Sequence, residues 1–237
     1  MSIFLCSSPA WATWTIVTST GNSTGSATGA VISATKTLVN VGDLLVVAAS
    51  YATNSTTNLT LDSALGNSLT SIGQKNWDTI ASPTSGTNIW YGKITTTGSE
   101  AITIHGNAAA SFRVIYFLEY SGNSSGTSLD KSDATASDSD ANPLNGTAIV
   151  TTQNGELVVV VGNQTAGTGT LTAGTGYTLQ LTNGNGATVL EDQTQASAGS
   201  ITGSFANSST GQLSVVYTAS FFAPPPPPTQ QSGVFIR

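Results

Sequence analysis

His105 is the only histidine and Cys6 the only cysteine in this chain of 237 residues. A zinc-protease motif of the HExxH type needs two histidines, so that chemistry is excluded. An intrachain disulfide needs two cysteines and is excluded as well. Ser-His-Asp catalysis could draw only on His105. That residue closes the alternating run Ile102-Thr103-Ile104-His105, which reads as a surface histidine at a strand end.

The carboxylates are the next resource, twelve in all. Glycoside hydrolysis needs two of them converging at about 5–10 Å. Glu191 and Asp192 are adjacent, and strand alternation sends neighbours to opposite faces. Glu119 and Glu156 sit beside apolar runs and read as residues that flank the core or hold turns. Hard oxygen ligands at alternating positions suit Ca²⁺. Asp138, Asp140 and Asn142 have that spacing, with Asp130 and Asp133 upstream. However, Pro143 stands where a calcium loop turns on glycine, and no glutamate follows at the closing position. The stretch therefore reads as a solvated acidic loop, with Ca²⁺ as the alternative and no other cofactor. No enzymatic activity is expected.

Four tryptophans, Trp11, Trp14, Trp77 and Trp90, could supply a sugar-stacking surface. Trp90 lies in a strongly apolar strand and reads as core. Trp77, within the polar GQKNWDT, is the exposed candidate for a glycan. The glycine-rich GTGTLTAGTG (167–176) has no following Lys-Ser/Thr, so it is a loop between strands and not a phosphate cradle. Seven N-x-S/T sequons, including those at Asn22 and Asn163, are what a chain rich in Asn, Ser and Thr yields in any case.

All these residues have to be positioned by strands. Only 8% of residues are charged, against about 25% in an average soluble protein. Ser and Thr make up nearly a third, so hydroxyls and amides wet the surface. The formal net charge is −6 with six Lys and Arg, none clustered. Nucleic-acid binding and electrostatic membrane anchoring both need a basic patch, so neither partner is expected. No apolar run reaches the roughly 18 residues of a membrane helix. The opening MSIFLCSSPAWATW lacks the basic and long apolar regions of a secretory signal, and synthesis without such export is the expectation.

No segment keeps an i, i+3, i+4 apolar period; short alternating or fully apolar runs between Gly, Asn and Ser recur instead. Strands are predicted over 13–19, 29–35, 43–51, 58–62, 68–73, 87–95, 100–106 and 111–120, then over 146–152, 156–164, 177–182, 187–193, 200–206 and 212–222. An edge strand is predicted around 128–137. Leu44–Ala49 and Leu157–Val161 are apolar at every position, as central strands covered on both faces must be. The second set of strands aligns with the first in order, which indicates two tandem repeats at 14–121 and 127–222. Turn signals every eight to twelve residues suggest a sandwich or barrel. The expected fold is an all-β, jelly-roll-like two-sheet sandwich (14–223) in which the repeats interleave; two Ig-like domains are the alternative. An N-terminal arm (1–13) and a proline-rich C-terminal arm (224–237) flank it.

Several segments together carry a resemblance: GDLLVV (42–47), LDSALGNSLT (61–70), WYGKITT (90–96), FLEYSG (117–122), LDKSDATASDSD (129–140), TTQNGELVVV (151–160), GYTL (176–179), VLEDQ (189–193) and SAGS (197–200). Their order resembles a broad group of duplicated β-sandwich proteins found in phage virions and on bacterial surfaces. The resemblance spans about 14–222 and rests on turns and core strands. It implies a fold and a habitat and carries over no catalytic residue.

The resulting expectation is a structural protein of a virus particle: a phage capsid decoration, head-fibre or related virion surface protein. Its partners would be further copies of itself or other virion proteins such as the major capsid protein. The alternative is a secreted or cell-surface adhesin or filament module that holds glycans. Docking is expected through the arms. Pro224, Pro225, Pro226, Pro227 and Pro228 favour polyproline II at ~3.1 Å per residue, a spacer that would hold Val234, Phe235, Ile236 and Arg237 clear of the domain. Ile3 and Phe4 are the apolar residues of the other arm.

Overall fold

In the computed structural model the described residues are 14–24, 29–53, 58–77, 85–122, 129–137, 142–164, 169–184, 186–209 and 213–223. They form antiparallel strands without helix, an all-β architecture of the sandwich kind. The first half contains β1 (Thr15–Thr24), β2 (Gly29–Leu38), β3 (Leu44–Thr53), β4 (Leu59–Ser63), β5 (Thr70–Ser71), β6 (Lys75–Trp77), β7 (Ser85–Lys93) and β8 (Gly98–Ser121). The second contains β9 (Leu129–Ser137), β10 (Leu144–Thr151), β11 (Glu156–Gln164), β12 (Leu171–Ala173), β13 (Thr178–Thr182), β14 (Thr188–Gln195), β15 (Gly199–Asn207) and β16 (Ser214–Phe221). The edge strand expected around 128–137 is β9.

Every strand pairing among the described residues joins two strands of the same half. The interleaved jelly roll expected from the sequence is therefore corrected: the halves do not exchange strands. In the first half the order is β1-β8-β3-β7-β5, with β2 and β4 also on β8; in the second, β9-β16-β11-β14-β13 lies apart from β10-β15-β12.

The strand β8 explains why the first half has one sheet where the second has two. Its residues 98–110 pair with β2, and its residues 110–121 pair with β1 and β3. Both partners shift register at Ala110, where Gly29 of β2 and Thr53 of β3 pair. One chain segment thus serves an outer layer and then an inner one. The sequence reading split it into 100–106 and 111–120, because GNAAAS lacks the alternating apolar signal. His105 consequently lies within a strand and not at its end.

Three apolar cores separate the layers. Alternation along β3 assigns Leu44, Val46 and Ala48 to one core and Leu45, Val47 and Ala49 to another. The first of these is shared between the halves, where the residues of β3, β7 and β8 meet Leu157, Val159 and Val161 of β11 and Phe221 of β16. The second core lies beneath β2 and β4, with Ile32, Leu59 and Ile102 facing Val47 and Phe117. The third lies beneath β10, β12 and β15, with Ile149, Leu171 and Phe205 facing Val158 and Val160. Both β3 and β11 are covered on both faces, as their unbroken apolar runs require.

Candidate functional site

The residues singled out from sequence scatter through this framework. Trp77 is corrected most sharply, because it is 2% exposed and no surface platform. Its indole Nε1 donates to Thr87 Oγ1 at 3.0 Å. The Thr87 and Ser50 hydroxyls are 2.7 Å apart, and Asn163 Nδ2 of the other half donates to Ser50 Oγ. Trp77 therefore anchors a buried polar chain that crosses between the halves. Trp77→Phe should keep the fold, leave the Thr87 hydroxyl one donor short and cost about 1 kcal/mol, read as a lowered urea midpoint. An unchanged midpoint would show that the chain contributes nothing.

Trp90 is buried, as its apolar strand implies. His105 Nε2 and Asp62 Oδ2 lie 2.9 Å apart, with both side chains substantially open to solvent. That pair is a surface contact between β4 and β8. Trp11, Ile3, Phe4, Asp138, Asp140, Pro224–Pro228, Val234, Phe235, Ile236 and Arg237 lie outside the described residues. Of the calcium candidates, Asp130, Asp133 and Asn142 are described: Asp133 Oδ2 accepts from Thr135 Oγ1 at 3.2 Å, and Asn142 Oδ1 accepts from the Asn207 N–H at 3.2 Å.

The buried glutamates hold turns. Glu119 Oε1 accepts from the backbone of Val39 and Asn40 at 3.1 and 2.8 Å, and burial raises its carboxyl above the usual range. Its neighbour in the turn, Gly42, has φ +102°, a conformation that favours glycine. Glu156 Oε1 does the same work in the second half, accepting from Thr152 and Gln153 at 2.9 and 2.7 Å. Asp130 Oδ2 also accepts from Thr152 N–H at 2.8 Å. Asp130 and Glu156 thus meet on one backbone amide. Burial raises the Glu156 carboxyl, with the Asp130 charge adding to the effect.

Glu191 and Asp192 point to opposite faces of β14, as alternation demands. Glu191 Oε2 accepts from Gly174 N–H at 2.8 Å on the outer side. Burial pushes its carboxyl up to about 8. Asp192 faces the seam between the halves. Its Oδ2 accepts from Tyr120 Oη at 2.7 Å, and its Oδ1 accepts from Gln180 Nε2 at 2.9 Å. Burial raises this carboxyl too, against the opposing pull of those two hydrogen bonds.

Tyrosines and a tryptophan stitch the seam along its length. Tyr116 Oη donates to Thr188 O at 2.8 Å, and Tyr217 Oη donates to Gly73 O at 2.5 Å. Trp14 Nε1 donates to Gly155 O at 3.1 Å. Trp14 also meets Tyr120 edge-on, with ring centroids 6.5 Å apart. Two clefts open between these contacts. One, of about 380 Å³, is lined by Trp14, Tyr120, Gln180, Asp192 and Thr194 among others. The second, of about 290 Å³, is lined by Asn22, Tyr116, Thr182 and Asn183 among others. No family model, curated protein or solved structure matches the chain. What can be said of the site therefore rests on its own geometry.

The seam escapes sequence reading because it is built from positions far apart. Trp14, Tyr120 and Asp192 are more than seventy residues from one another. The one local hint is the Tyr116, Leu118, Tyr120 alternation on an inner strand, since a buried tyrosine needs a partner for its hydroxyl.

Proposed function

We propose that this chain is a structural protein of a virus particle, a capsid decoration or head-fibre-type component that assembles through its terminal arms and has no catalytic role. The observation that supports this best is where the arms join the folded block. Trp14, next to the N-terminal arm, donates to Gly155 O. Phe221, near the C-terminal arm, pairs with Leu157 two residues further along. Both arms are attached at the same end of the stacked sheets. An apolar hook beyond a polyproline spacer and an apolar N-terminal segment can then engage one partner surface together. Extended segments add to a neighbour's sheet edge through main-chain hydrogen bonds, and repetition over a lattice turns weak contacts into avid ones.

The use of the buried carboxylates is consistent with this reading. Glu119, Glu156 and Asp130 are committed to backbone amides of turns, which serves rigidity. The acidic balance fits a role without nucleic acid. Duplication of one β-sandwich unit accounts for the equivalent strand orders of the two halves.

Density-gradient purification of particles from the organism that encodes the chain, followed by mass spectrometry, tests the reading. The chain should co-purify with particles, and a variant lacking 224–237 should be lost from them. Recovery of the chain only in the soluble or cell-envelope fraction would overturn it in favour of the surface-adhesin alternative.

A further inference from the structure

We propose that two copies of this chain pair side by side along the edge formed by β1 and β13, with their β1 strands antiparallel across a two-fold axis. This contact goes beyond the docking of the arms and needs neither of them. It rests on which strand edges are left open and on where the charges lie.

The stacked inner layers end in two open sides, one bearing β6 and β9 and the other β1 and β13. An open strand edge invites pairing with another chain, and charged residues, prolines, bulges and shortness are the usual guards against it. The first side is guarded. β6 has three residues with Lys75 among them, and β9 carries Asp130, Lys131 and Asp133. The outer-layer strand β2 carries Lys36, and its Val31 and Ser33 carbonyls accept from the Arg113 and Asn22 side chains. On the second side β13 is five residues long and bulged between Leu179 and Leu181. The strand β1 lacks every such guard over Thr18–Thr24, which keep unbroken register with β8 and contain neither charge nor proline. Among the described residues, no main-chain atom of that stretch is bonded to an element other than β8. At ~3.3 Å per residue it presents about 20 Å of open edge.

Charge selects a second copy as the occupant. The chain has a net charge of −6, so two copies repel each other and approach most easily through a side without charge. Neither β1, nor β13, nor the turn 183–187 contains a charged residue. Antiparallel pairing of one strand with its own copy is two-fold symmetric, so it closes on a dimer and does not propagate into a fibre. The two clefts of about 380 and 290 Å³ lie on this same side, each lined by residues of both β1 and β13. Ile16 and Leu181 line them and are only half-buried, and Leu179 of β13 is 36% exposed. A second copy laid along β1 would cover these side chains, which a lone copy leaves to water.

Sedimentation of the full chain from micromolar to millimolar concentration, with amide hydrogen exchange at both extremes, tests the proposal. The wild type should pass from monomer to dimer. Alternate amides of Thr18–Thr24 face β8 and should be protected at both extremes, whereas the outward amides should be protected only in the dimer. Ser23→Lys, at an exposed position of β1, should weaken dimerisation tenfold or more by placing a charge on this edge. Thr60→Lys, exposed on β4, should leave it unchanged, as should removal of 224–237. The exchange pattern of the wild type decides the matter if Ser23→Lys does not fold. A wild type that stays monomeric, outward β1 amides that exchange equally fast at both extremes, wild-type affinity in Ser23→Lys, or loss of the dimer with 224–237 would overturn the assignment.

Discussion

Replacing Glu191 by glutamine should remove about 3 kcal/mol of the stability that the protein loses between about pH 5 and pH 9. The Glu191 carboxyl ordinarily titrates near 4.5, and burial pushes it up to about 8. The Gly174 and Ser204 amides oppose that rise, and the neighbouring Asp192 charge adds to it. A carboxyl raised this far holds its proton in the folded state where the unfolded chain has already released it. Between about 4.5 and 8 the folded state therefore binds more protons, and stability falls as pH rises. Below this window the contribution is fully present, and above it the loss is complete. Such a rise corresponds to several kcal/mol in full; partial screening reduces it to about 3 kcal/mol. Glutamine mimics the protonated acid, so Glu191→Gln should match the wild type near pH 5 and exceed it near pH 9. Urea unfolding at several pH values reads the difference directly. Equal slopes in the two proteins would show that Glu191 is ionised in its site without cost.

Gly162→Ala should destabilise the second half by about 3 kcal/mol. Gly162 lies in β11, between Val189 of β14 and Val216 of β16. A Cβ there would stand 2.5 Å from Phe205 Cε2 and 2.7 Å from Cδ2, and Phe205 is fully buried. Neither can yield: β11 is paired on both edges, and the ring fills the third core. Overpacking of this kind costs ~1–3 kcal/mol, and such a close ring places it at the upper end. Phe205→Leu in the same chain should restore part of the loss. The coupling in a double-mutant cycle should exceed about 1 kcal/mol. Additive effects of the two substitutions would mean that the alanine is accommodated elsewhere.

The fold was legible in sequence wherever one residue determined the role of the next. Leu44–Ala49 and Leu157–Val161 announced central strands because no alternation survives when both faces are covered. Glu191 and Asp192 could be assigned to opposite faces for the same geometric reason. Short strands gave weaker signals. Three residues of β6 between polar neighbours hid the burial of Trp77, and the small residues of 106–111 hid the continuity of β8. The meeting of the halves was illegible, because apolar alternation shows that a face is covered without showing by what. A second sheet from the same chain satisfies an inner face as well as a strand inserted from the other half would. Asp192 on that face looked like an ordinary strand acid until Tyr120 and Gln180 arrived from elsewhere.

The double membership of β8 has a consequence for how the halves yield. In the first half one unbroken backbone belongs to the outer and the inner layer, so neither can lift away without straining the pairing of the other. In the second half those roles fall to β15 and β16, separate strands joined through residues 208–213. There the layer β10-β15-β12 can part from its neighbour as a unit of its own. The protein thus combines a half that opens all at once with a half that can open in two stages, and local unfolding free energies should divide along that line.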